Sequence, residues 1–237
     1  TPTPSSAASD VYKRQGLFAD LVGILSAVFF CQLFFAESIA SSSHDHEIDV
    51  VNIQELDPTI LVDLRYSSKN NFLKKDMYGD LEECFLRRKP AEMLCQANEH
   101  LKASHPELRL LVFDGLRTRS VQKKLWDALD TIPVSLRTQF VADPKKGSIH
   151  NYGAAVDLTL ALENGSELDM GTEYDHFGEL AFPALEDSLL ALGKLTDKQI
   201  KNRTILRQVM TKAGFSTIDS EWWLSLIHIS EPTRPRL

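Results

Sequence analysis

The sequence predicts one α+β domain over residues 48–223, and three observations carry that expectation. Helix-like and strand-like stretches alternate irregularly, with spacers of uneven length, which does not suit a regular βαβ array. A chain of 237 residues with 43% apolar and 25% charged residues can bury a sizeable core. No repeat or long low-complexity stretch breaks residues 48–223 into parts.

The elements follow in order. "NIQELDPTILVDLRYSS" predicts a short extended segment, with apolar residues around Asp63 and Arg65. "PAEMLCQANEHLKA" places Met93, Leu94, Ala97 and Leu101 at helical spacing, with Pro90 suited to a first turn. "LRLLVFDG" is an apolar run closed by Asp-Gly, hence a buried strand and a turn. "SVQKKLWDAL" returns to helical spacing through Val121, Leu125, Trp126 and Leu129. "AAVDLTLAL" reads as a strand, and "NRTILRQVMTKAGF" as a helix stopped by Gly214.

Outside the domain, Lys13 and Arg14 precede an apolar core from about Leu21 to Ala36, then Ser38 and Ala40 in an S-x-A arrangement. Residues 16–40 therefore read as a secretory signal peptide, with residues 41–47 a polar linker. The expected location is outside the cytoplasm, in a periplasm, with no membrane domain after cleavage. The alternative is an uncleaved membrane anchor. His44 and His46 lie in the linker, where a solvated pair is the ordinary reading. The net charge of −7 argues against a nucleic-acid-binding surface. Cys84 and Cys95 have no close pairing motif; a disulfide and two partly buried thiols both remain open.

The chemistry concentrates in "GSIHNYGAAVDLTL". His150 before a glycine turn and Asp157 on a strand can face one point, offering nitrogen and oxygen donors of the kind catalytic zinc takes. Taken alone, that spacing equally suits a turn histidine and a strand-edge aspartate satisfied by the backbone. Glu221 in "SEWW" adds a carboxylate that beside a metal takes the proton of the attacking water; otherwise it flanks buried tryptophans. Arg117 follows the Asp-Gly turn, where a fixed guanidinium can face a developing oxyanion or merely pair with a core carboxylate.

Together the blocks "VDLRYSSKNNF", "CFLRRKPAEML", "FDGLRTRSVQKKLWD", "SIHNYGAAVDLTL", "LDMGTEYDHF" and "NRTILRQVMTKAGF…EWW" resemble the D-alanyl-D-alanine dipeptidase family of zinc peptidases. The resemblance implies a central, mainly antiparallel sheet flanked by helices, in the D-Ala-D-Ala peptidase/hedgehog-like manner, and one Zn2+ per chain. It implies that His150 and Asp157 are zinc ligands, Glu221 the base and Arg117 the transition-state arginine. It further implies that Ser148 helps hold a D-Ala-D-Ala substrate, whose free amino group pairs with Asp175. The implied reaction is hydrolysis to two D-Ala in cell-wall peptide turnover; a related D,D-carboxypeptidase is the neighbouring alternative.

Two departures stand out. The family's D-G-Y-R-P is here D-G-L-R-T, ending in Thr118. More seriously, its final E-x-x-H, whose histidine is the third zinc ligand, here has Leu224. His228 follows four residues later as a conceivable substitute. One expectation is a catalytically impaired, dipeptide-binding relative. The other is that "LSLIHISEPTRPRL" and "SDVYKRQ" are translated sequencing-adapter DNA. On that reading residues 1–15 and 224–237 are a non-native leader and tail.

Overall fold

Alternating apolar residues on two adjacent strands build the frame that carries the candidate site. The structure is a computed structural model that describes residues 49–227. The signal-peptide segment, the linker histidines and His228 lie outside those residues.

The elements are β1 (Val50–Asn52), α1 (Ile53–Leu56), β2 (Leu61–Val62), β3 (Phe85–Arg87), α2 (Arg88–Ser104) and β4 (Leu108–Asp114). They continue with α3 (Arg119–Ala128), β5 (Ala155–Leu162), α4 (Glu186–Ala191), α5 (Asp197–Lys212), β6 (Ser216–Thr217) and β7 (Leu224–Leu226). β2, β4, β5, β7 and β6 lie side by side in that order. Only β2–β4 is parallel; the other pairings are antiparallel, as expected. β1 and β3 form a separate antiparallel pair.

Side chains alternate across a strand. Leu108, Leu110 and Val112 of β4, with Val156, Leu158 and Leu160 of β5, join the main core cluster. Leu94, Ala97 and Leu101 of α2 and Leu206, Val209 and Met210 of α5 belong to the same cluster, so these two helices cover that face. α5 starts on a capping box, with Thr196 and Gln199 satisfying each other's backbone N–H. On the opposite face, Leu111, Phe113 and Ala161 form a smaller cluster beside Tyr174.

Between Val112 and Asp114 the β4–β5 register shifts, so Val112 pairs with Leu158 but Asp114 with Asp157. A one-residue slip moves a side chain to the other face. Asp114 would otherwise continue the helix-covered row of Leu110 and Val112. The shift places it beside Asp157 instead.

The sheet does not stop at Trp223. Leu224, Ser225 and Leu226 pair with Asp157, Val156 and Ala155 of β5, and β6 pairs on the other side. Leu224–Leu226, at the start of the stretch expected to lie outside the domain, thus form a strand between β5 and β6. Cys84 and Cys95 are both free thiols, which resolves the alternative left open above.

Candidate active site

The site begins where β4 ends. Gly115 lies so close to β3 that a Cβ there would meet Cys84 Sγ at 2.5 Å and the Phe85 carbonyl at 2.8 Å. Only glycine permits that approach. Next to it Leu116 donates its N–H to the Phe85 carbonyl at 2.8 Å, fixing the turn.

The turn is laced to the 3-10 segment Ile149–Tyr152. Arg117 N–H donates to the His150 carbonyl at 3.1 Å. Asn151 Nδ2 donates to the Arg117 carbonyl at 2.7 Å, and His150 Nδ1 lies 2.9 Å from the Gly115 carbonyl. Ser148 caps this segment, its hydroxyl accepting from His150 N–H at 3.3 Å, while Asn151 accepts from Ser148 N–H at 2.7 Å. Gly153, at φ 60°, ends it in the left-handed conformation that glycine adopts without strain.

Arg117 is held rigidly. Its Nε donates to Asp114 Oδ2 at 2.9 Å, Nη2 donates to the same oxygen, and Nη1 donates to Gln122 at 3.2 Å. Its guanidinium lies 5.1 Å from the centre of the Tyr66 ring. Asp114 is saturated, because its Oδ1 also accepts from Tyr78 and from Gly115 N–H.

The His150–Asp157 pair is different. A carbonyl acceptor at Nδ1 makes that nitrogen the donor, which leaves Nε2 as the lone-pair nitrogen of neutral imidazole. Nε2 faces Asp157 Oδ1 at 3.5 Å. Asp157 Oδ2 accepts from the Tyr174 hydroxyl at 2.8 Å, whereas the buried Oδ1 has no hydrogen-bond partner among the described residues. Two buried acceptors facing each other call for a proton or a cation between them. Burial opposes charge on both groups, but their mutual attraction prevails: His150 is raised above the ordinary histidine range and Asp157 lowered below the carboxylate range. A bound cation would meet the same need, so the two residues fit a metal.

Asp114, His150 and Asp157 each bring a ligand atom within 4.8 Å of the others. Asp114 nevertheless approaches the wrong edge of the imidazole, at 3.7 Å from Nδ1, and its oxygens are spent on Arg117, Tyr78 and Gly115. It orients Arg117 and is a poor third ligand. Position 224 is geometrically better, because it pairs with Asp157, and antiparallel partners project on one face with Cβ atoms ~5 Å apart. Leucine there has no donor atom.

Glu221 is half-buried near this pair. Burial and the Asp157 charge push its carboxyl up to about 7, against the opposing pull of His150 and Arg117. Asp175 has left-handed φ, 59°, and accepts from the Tyr66 hydroxyl at 2.8 Å. Burial, Asp157 and Glu221 hold it well above the carboxylate range despite Tyr66 and Arg117.

Of the residues singled out by sequence, His150, Asp157 and Arg117 are thus in mutual contact, and Glu221 and Asp175 lie within reach of their charges. The Ser148 hydroxyl is engaged in capping the His150 turn. Sequence reasoning missed Asp114, Tyr66, Tyr78 and Tyr174. The only available signal for Asp114, Tyr66 and Tyr174 was that each stands inside a block already notable for another residue; Tyr78 stands outside every block.

A histidine nitrogen facing a buried carboxylate oxygen, beside an anchored arginine and a carboxyl pushed up to about 7, is the arrangement a metallopeptidase uses. The chain belongs to the D-Ala-D-Ala dipeptidase family, whose model matches residues 46–233. It is 30% identical over 175 residues to a D-alanyl-D-alanine dipeptidase of Escherichia coli (strain K12), covering 74% of this chain and 82% of that protein. A D-alanyl-D-alanine dipeptidase of Enterococcus faecium is 27% identical over 194 residues, covering 75% of this chain and 90% of that one.

Proposed function

We propose that this protein hydrolyses the dipeptide D-Ala-D-Ala with one zinc ion held by His150 and Asp157. The observation that carries the reading is the buried Asp157 Oδ1, without a hydrogen-bond partner, facing His150 Nε2 at 3.5 Å. An imidazole nitrogen and a carboxylate oxygen are donors that zinc accepts. Zinc, when bound, supplies Lewis acidity and eases ionisation of water near neutral pH.

The protein's own groups supply the rest. Glu221, a carboxyl within reach of the His150 and Asp157 charges, takes a proton from the attacking water and returns it to the leaving amine. Arg117, preorganised by Asp114 and Gln122, faces negative charge developing on the carbonyl oxygen without having to reorient. Asp175 pairs with the substrate ammonium, whose charge draws its proton away and favours a short substrate with a free amino group. Ser148 reaches the substrate only with the part of its hydroxyl not used for capping. Export to a periplasm and turnover of wall-derived dipeptide complete the proposal; the basic, apolar and small-residue pattern of residues 13–40 supports it.

Leu224 favours a second reading, in which the site binds dipeptide without turning it over. Under the first reading, the natural chain carries histidine at position 224. The deciding experiment compares zinc affinity and D-Ala release for this chain and Leu224→His, with D-Ala-D-Ala and with a pentapeptide ending in it. Leu224→His should bind zinc more than ~100-fold tighter and release D-Ala from the dipeptide alone. Zinc-loaded Leu224→His that binds the dipeptide without cleaving it would sink the enzyme reading. Preference for the pentapeptide would indicate a carboxypeptidase.

A further inference from the structure

Tyr174 and Asp175 are consecutive, yet both point into the site. Extended backbone sends neighbouring side chains to opposite sides. The left-handed φ of 59° at Asp175 breaks that alternation. The Tyr174 hydroxyl consequently reaches Asp157 Oδ2, while the Asp175 carboxylate reaches the Tyr66 hydroxyl, each at 2.8 Å.

The Tyr174 ring has little freedom. Its centre lies 5.2 Å from that of Phe113, 5.6 Å from Trp223 and 6.2 Å from Tyr66. The Trp223 and Tyr66 rings meet it edge-on, and Phe113 is tilted against it. Packing therefore fixes where the hydroxyl stands. A carboxylate has a broad terminal torsion and needs an outside partner to hold it in one orientation. At Asp157, Oδ2 has Tyr174 as donor and Arg117 Nη2 at 4.0 Å, and Oδ1 is left bare toward His150.

We propose that Tyr174 is the positioning residue of the metal site: its hydroxyl holds Asp157 so that Oδ1 is the oxygen offered to the cation. The inference rests on the metal-site reading above. It adds that one two-residue segment both orients a ligand and, through Asp175, meets the substrate. Groups hydrogen-bonded to metal ligands typically govern affinity ~10–100-fold.

The test is a Co2+ titration, read by visible absorption, of the full chain and its Leu224→His variant, each with and without Tyr174→Phe. Tyr174→Phe should weaken cobalt binding by at least ~10-fold and alter the absorption bands. In Leu224→His, kcat should fall while KM for D-Ala-D-Ala changes less than about two-fold. The metal-free thermal midpoint should move little, because the ring remains. Unchanged affinity and spectrum would overturn the proposal. So would a loss of affinity accompanied by a comparable loss of metal-free stability, which would mark a packing role. If Leu224→His binds cobalt but cleaves nothing, the dipeptidase reading fails while the cobalt data still judge Tyr174. If it takes up no cobalt, both fall.

Discussion

Replacing Glu221 by glutamine should make the metal-free protein more stable at mildly alkaline pH and leave it unchanged in acid. Burial and the Asp157 charge raise this carboxyl from 4.5 to about 7 in the folded protein. Well below 4.5 the group is protonated in both folded and unfolded chains and contributes nothing. As pH rises above 4.5 the unfolded chain ionises first, so folding is progressively disfavoured until the folded group ionises near 7. Above that point the penalty is constant. Each pH unit between the two values is worth ~1.4 kcal/mol, giving up to about 3 kcal/mol. Glutamine resembles the protonated acid and carries no such penalty. Asp175, whose carboxyl the Glu221 charge helps to raise, is relieved of that charge in the glutamine variant, which shifts stability in the same direction. Urea unfolding of both proteins in chelator, at about pH 4 and about pH 8, measures the effect. A stability difference that did not widen between the two pH values would refute the assignment of Glu221 to a desolvated, negatively biased position.

Two further perturbations test the frame around the site. Gly115→Ala should cost roughly 1–3 kcal/mol in urea unfolding, because the new methyl meets Cys84 Sγ at 2.5 Å and the Phe85 carbonyl at 2.8 Å. A neutral effect would mean that β3 and the turn separate easily. Asp114→Asn should cost roughly 3 kcal/mol and, in Leu224→His, lower kcat, because it leaves the buried Arg117 guanidinium without its main counter-charge. Full stability in that variant would show that Asp157, at 4.0 Å, suffices to hold Arg117.

The main elements were legible in the sequence wherever one face of the chain is buried. The 3.6-residue spacing of Met93, Leu94, Ala97 and Leu101 records a buried helix face, and the apolar runs of β4 and β5 record strands buried on both faces. His150, Asp157, Arg117, Glu221 and Asp175 could be singled out from short local motifs, and the fold brings His150 and Arg117 against Asp157. Asp114 was not legible in this way. Its place in the alternation of β4 assigns it to the helix-covered face, and only the register shift against β5 turns it toward Asp157. Tyr174 was not, because its role depends on a left-handed residue beside it and on rings from Phe113 and Trp223, distant in the chain. Position 224 divides between the two kinds of information. Sequence alone shows a leucine where the family has histidine. Strand pairing, formed by hydrogen bonds between segments 67 residues apart, decides that this side chain stands beside Asp157, where the proposed metal site would take a third donor.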